Sequence, residues 1–171
     1  LVIVSTIPTG VIGILFKDTV ELAGTMLIVP GICLLITSVF LVIADYADEG
    51  TKRPREASYV NAGLIGVAQG IATMPGLSRS GTTITACLLC GFEKKFAVKY
   101  SFIMSIPAVL GAVVLELKDV AKAPLQASAV PACAVATVIS AIVGYLSICI
   151  MMRLIQGKKY KIFAVYCAIV G

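Results

Sequence analysis

The stretch VNAGLIGVAQGIATMPGLSRSGTTITACLLCG, residues 60–91, decides how this chain folds. It is too apolar for a surface loop, yet it carries Asn61, Gln69, Thr73, Ser78, Arg79, Ser80, Thr82, Thr83 and Thr85, and Pro75-Gly76 break its middle. Neither half reaches the roughly 20 residues that one crossing of a bilayer needs. The pattern predicts two short helices meeting at a broken tip, a re-entrant helix-loop-helix hairpin. Irregular backbone at membrane depth is tolerated only where protein or a water-filled cavity surrounds it. An internal cavity is therefore predicted at the tip.

The flanking sequence supports a membrane setting. Of the 171 residues, 59% are hydrophobic and 13% charged, about half the charge of a soluble domain; mean hydropathy is +1.02. That excludes a disordered chain and argues against an ordinary cytosolic domain. Long apolar runs predict spans at residues 23–43, 96–117 (interrupted by Pro107) and 127–152. Residues 1–16 finish a span and Ile162 starts a truncated one. Between them lie a charged turn at 17–21 and loops at 44–58, 116–126 and 153–161. The fold class expected is an all-α integral membrane protein, a polytopic helical bundle forming a single transmembrane domain over residues 1–171. The chain opens inside an apolar run at Leu1, with no basic leader segment, and stops at Gly171 ten residues into another. It reads as an internal fragment lacking an N-terminal part.

Charge placement tests the hairpin. If residues 60–91 return to their starting side, Lys52, Arg53, Arg55, Lys94, Lys95, Lys99, Arg153, Lys158, Lys159 and Lys161 share one face, against Lys17, Lys118 and Lys122 on the other. If the segment spans, the asymmetry shrinks to eight against five. Basic loops face the cytoplasm, so the re-entrant arrangement is favoured, its open end cytoplasmic. The net charge of +5 thus reports orientation, and no nucleic-acid partner is expected. The six cysteines lie in apolar runs and act as small hydrophobes. Cys87 and Cys90 form a C-x-x-C whose fillers are both leucine, outside any redox-motif context. With no histidine in the chain, a His-containing zinc site is excluded.

The hairpin tip carries the chemistry. Arg79 is the only charged residue between Arg55 and Glu93 other than Glu56 at the loop edge, and an arginine at membrane depth costs about 2.5–3.5 kcal/mol even on lenient scales. Such a residue faces a cavity and meets an anion. Ser78 and Ser80 flank it, and Gly81 follows at the opening of the second half-helix. Helix N-terminal amides, hydroxyl donors and a guanidinium fork together describe a phosphate site. A carrier for lipid phosphates or small anions, also built on broken helices, is the alternative to an enzyme.

The run Gln69-Gly70-Ile71-Ala72-Thr73-Met74-Pro75-Gly76-Leu77-Ser78-Arg79-Ser80-Gly81-Thr82-Thr83 resembles the second signature, PG-x-SRS-x-x-T, of the bacterial undecaprenyl-diphosphate phosphatases. Pro75, Gly76, Ser78, Arg79, Ser80 and Thr83 match its fixed positions. The run Lys99-Tyr100-Ser101-Phe102-Ile103-Met104-Ser105-Ile106-Pro107-Ala108 is similar to the following helix of that family. The resemblance implies two interlocked inverted repeats, location in the bacterial inner membrane, and removal of a phosphate from undecaprenyl diphosphate to regenerate the lipid carrier for cell-wall synthesis. It also implies a link to bacitracin resistance. Arg79, Ser78 and Ser80 become the expected catalytic residues, and Gly76, Gly81, Thr83 and Gln69 the expected substrate-binding ones. The family's first signature, with its glutamate and histidine, is absent here. None of the nine carboxylates falls in a predicted core, so the ligands of a divalent cation (Mg or Ca) are expected in the missing N-terminal part, with no metal ligand in this chain. Residues 1–171 alone are expected to be inactive. The expected partners are the polyprenyl diphosphate and membrane lipids; a homodimer is left open.

Overall fold

The computed structural model describes residues 1–47, 50–122, 130–156 and 160–171. Eight α-helices follow one another: α1 (Val2–Leu15), α2 (Lys17–Thr25), α3 (Ile28–Tyr46), α4 (Tyr59–Ile71), α5 (Arg79–Leu89), α6 (Lys94–Lys122), α7 (Val130–Gln156) and α8 (Tyr160–Val170). Three of them contain segments long and apolar enough to cross a bilayer: Ile28–Tyr46, Lys94–Leu117 and Val130–Ile150. The pair α1 and α2, bent by 62° at Phe16, makes a fourth candidate. The outer surface carries exposed leucine, isoleucine and valine along nearly every helix, the surface a bilayer solvates. The chain is an all-α, multi-pass membrane protein.

Several element boundaries differ from those predicted. The charged turn expected at 17–21 is the first part of α2; Asp18 in its first turn complements the helix dipole. The span expected at 23–43 begins and ends later, at Ile28 and Tyr46, because α2 takes up residues through Thr25. The loop expected at 116–126 is helical through Lys122, with 123–129 outside the described residues. In the basic segment 153–161, Arg153 to Gln156 continue α7 and Lys161 lies in α8, while 157–159 fall outside the described residues.

Residues 60–91 form two short helices, α4 and α5, which pack on each other. Their outer ends meet. The Lys52 amide donates to the Gly91 carbonyl at 3.0 Å, the Glu93 amide to the Lys52 carbonyl at 3.3 Å, and Lys52 Nζ to the Cys90 carbonyl at 2.9 Å. Arg53 reaches Glu93 at 3.9 Å. At the same end of α3, Lys161 pairs with Asp45 at 3.7 Å and stands 4.6 Å over the Tyr46 ring. One end of the bundle thus gathers Lys52 and Arg53 from the segment after α3 and Lys161 from α8.

Small and hydroxylated residues set the helix packing. On α4, a Cβ at Gly66 would sit 2.2 Å from the Ser5 carbonyl oxygen, and one at Gly70 2.7 Å from Ile12. These glycines let α1 lie directly on α4, where Thr9 Oγ1 donates to the Gly66 carbonyl at 2.8 Å. Ser5 and Tyr100 join α1 to α6 by a hydrogen bond. On the opposite side α3 carries α8, with Ser38 Oγ donating to the Ala164 carbonyl at 2.8 Å. Close approach and interhelical hydrogen bonds do this work in lipid, where the hydrophobic effect cannot. The core, including Leu41, Ala44, Ile65, Ile84, Cys87, Phe92 and Met104, surrounds the base of the hairpin.

Candidate functional site

The hairpin tip, residues 72–78, is fastened to the middle of α3. Gly76 has φ +88°, and a Cβ there would meet the Pro30 carbonyl oxygen at 2.3 Å. Only glycine combines that backbone conformation with such an approach. Thr37, 1% exposed, receives the Ser78 amide on its Oγ1 at 2.9 Å and donates to the Gly76 carbonyl at 3.2 Å. Pro30 is the third and Thr37 the tenth of the nineteen residues of α3, so the tip lies along the first half of that span. Arg79 opens α5 at that depth.

Ser78 is the N-cap of α5: its Oγ accepts the Gly81 amide at 3.1 Å. Its own hydroxyl proton stays available for donation. Thr83 is buried; it donates to the Arg79 carbonyl at 2.9 Å and shares a hydrogen bond with Ser101 of α6. Gln69, 1% exposed, reaches the Met104 carbonyl through Nε2 at 3.4 Å, while its Oε1 has no partner among the described residues.

The Arg79 side chain is exposed, and among the described residues no carboxylate pairs with it. It borders two spaces. The larger, about 360 Å³, lies among α1, α2 and α6 and also touches Thr73, Pro107, Glu21 and Glu116. Pro107 and Glu116 are nine residues apart, about 14 Å of helix. The smaller, about 300 Å³, is bounded by Arg79, Ser80, Ser101, Phe102 and Ser105. Where an internal cavity was expected at the tip, there are two half-open clefts, one on each side of the exposed guanidinium.

Of the seven site residues expected from sequence, Arg79 and Ser80 border these spaces. Ser78, Gly76, Gly81, Thr83 and Gln69 lie behind them, within the hydrogen bonds and contacts that hold the tip. Thr37, Ser101 and Ser105 complete the arrangement and were not singled out; the signal available was a hydroxyl set among apolar neighbours. Among the described residues no carboxylate belongs to the core; the Asp45 side chain, 9% exposed, is partly covered where α8 packs across α3. Glu21 and Glu116 also share the larger space with Arg79. Among the described residues no three His, Cys, Asp or Glu side chains converge. They do not by themselves form a site for the divalent cation that the resemblance implies, and no step below is routed through one.

The hairpin tip thus sets an arginine, with no carboxylate partner among the described residues, at the start of α5 in a multi-pass helical membrane protein. The whole chain, residues 1–171, matches the family described as Bacitracin resistance protein BacA, and it belongs to that family. It is 42% identical to the undecaprenyl-diphosphatase of Methanosphaera stadtmanae across its full length, covering 61% of that protein. It is 39% identical to the undecaprenyl-diphosphatase of Halothermothrix orenii, again across its full length, covering 66% of it. The undecaprenyl-diphosphatase of Methanothermobacter thermautotrophicus is 40% identical, with 95% of its length covered. The chain thus spans under two thirds of the first two relatives and nearly all of the third.

Proposed function

We propose that this protein hydrolyses undecaprenyl diphosphate to undecaprenyl phosphate in the inner membrane, and that Arg79 is the group that holds the diphosphate. The observation that carries this reading is the guanidinium without a carboxylate partner among the described residues, bordering two cavities at the start of α5. The relatives' names support the substrate.

Hydrolysis puts the oxygen of water on the terminal phosphorus and breaks the bridging P–O bond, with the lipid phosphate leaving with the electron pair. Negative charge spreads over the transferred group, so positioning and electrostatic stabilisation dominate. In this reading the planar fork of Arg79 clamps the phosphate oxygens in two-point fashion. Ser80 donates a hydrogen bond beside it, and Ser78, behind the guanidinium, caps α5 through the Gly81 amide. Gly76, Gly81, Thr83 and Gln69 keep the tip in place beneath them. A divalent cation, Mg or Ca, would need ligands from beyond the described residues. The homodimer left open by the sequence is not required.

The test is phosphate release from a polyprenyl diphosphate by the complete protein in detergent. Arg79→Lys keeps the charge and loses the fork; activity is expected to fall by about 10²–10³, the scale of one lost transition-state donor, with the fold intact. Activity near that of the parent would sink the assignment.

A further inference from the structure

The two spaces beside Arg79 differ in charge. Glu21 and Glu116 line the larger one together with Lys17, which pairs with Glu21 at 3.7 Å, so its walls carry charges of both signs. The smaller has no carboxylate in its lining: Arg79, the hydroxyls of Ser80, Ser101 and Ser105, and the Phe102 ring bound it. At about 300 Å³ it sits at the lower limit of small-molecule sites, suited to a phosphate group and its water and too small for a polyprenyl chain. Ser101 is committed to Thr83, which fixes α6 against α5 and so fixes the distance across the pocket. Ser105 is not committed in the same way. Its Oγ donates to the Phe102 carbonyl one turn back at 2.7 Å, a local bond that a hydroxyl exchanges readily for a charged acceptor. Ser80 makes no side-chain hydrogen bond among the described residues.

We propose that the pocket between α5 and α6 seats the phosphate to be removed, and that Ser105 is a phosphate-contacting residue opposite Arg79. This deepens the reading above and rests on it for the identity of the substrate. Arg79 and Ser80 then approach the group from α5 and Ser105 from α6. The larger space on the other side of the guanidinium is left to the remainder of the substrate and to water. The pocket selects a compact, multiply charged tetrahedral anion, and it retains inorganic phosphate as a product inhibitor.

The experiment uses the complete protein in detergent with two readouts: binding of inorganic phosphate by titration calorimetry, and turnover of a polyprenyl diphosphate. Ser105→Ala is expected to weaken phosphate binding about 5–10-fold, and Ser105→Val, which also fills the pocket, about 100-fold, both with unchanged thermal unfolding. Ser105→Thr, which keeps the hydroxyl, should restore binding relative to Ser105→Val. Gly111→Ala serves as the comparison, since a Cβ there meets nothing within 4 Å and faces only the larger space; it should leave phosphate binding unchanged. Parent-like phosphate binding by Ser105→Val, or an equal loss in Gly111→Ala, overturns the pocket even when the parent hydrolyses the lipid. Ser105-dependent phosphate binding by a parent that releases no phosphate from the lipid keeps the pocket and overturns the enzymatic reading.

Discussion

Thr37→Val is the most informative single change outside the signature. The two side chains have nearly the same shape, so the substitution opens no cavity and removes only hydrogen bonding. Two bonds go: the Ser78 amide loses its acceptor at 2.9 Å, and the Gly76 carbonyl its donor at 3.2 Å. The amide has one hydrogen and no alternative partner among the described residues, so it bears the desolvation penalty of an orphaned donor, about 1–3 kcal/mol. The carbonyl has two lone pairs and suffers less. The penalty falls on the Leu77–Ser78 peptide, one residue before Arg79, and the tip relieves it only by moving off α3. If that energy is expressed as misplacement of the guanidinium, about 1.4–2.8 kcal/mol corresponds to a 10- to 100-fold loss of turnover. Thr37→Ser keeps the hydroxyl and removes only a methyl group, so it should retain most of the activity. The assay is phosphate release in detergent, with thermal unfolding recorded beside it. Turnover within twofold of the parent in Thr37→Val, or equal impairment of both variants, would refute the argument that Thr37 acts through the tip.

Gly66→Ala should lower stability by about 1–3 kcal/mol through overpacking, since its Cβ meets the Ser5 carbonyl oxygen at 2.2 Å. Gly63→Ala, three residues earlier on α4 with nothing within 4 Å, should be neutral or slightly stabilising; thermal unfolding in detergent distinguishes the two. Single cysteines at Lys52, Lys95 and Lys161, on a cysteine-free background, should all react with an impermeant reagent from one side of the membrane, and a cysteine at Lys17 from the other. Labelling of Lys52 and Lys95 from opposite sides would mean that residues 60–91 cross the bilayer.

The sequence alone determined what depends on short-range pattern. Run length and hydropathy identified α3, α6 and α7 as spans, because crossing a bilayer is a property of about 20 neighbouring residues. Pro75-Gly76 within residues 60–91 was enough to break that segment into α4 and α5, and the nine residues Pro75 to Thr83 were enough to mark the family. Where the tip is seated, by contrast, was decided by contacts between residues far apart in the chain. Thr37 and Ser78 are 41 residues apart and Thr9 and Gly66 57 apart, and a hydroxyl in an apolar run reads the same whether it faces lipid or caps a distant loop. The partial covering of Asp45 likewise required α8 to lie across α3. The division of the space around Arg79 into a part lined by charges of both signs and a part lined by hydroxyls without a carboxylate was equally invisible in one dimension, because it depends on which face of α6 turns toward α5, and the packing of Ser101 against Thr83 fixes that rotation.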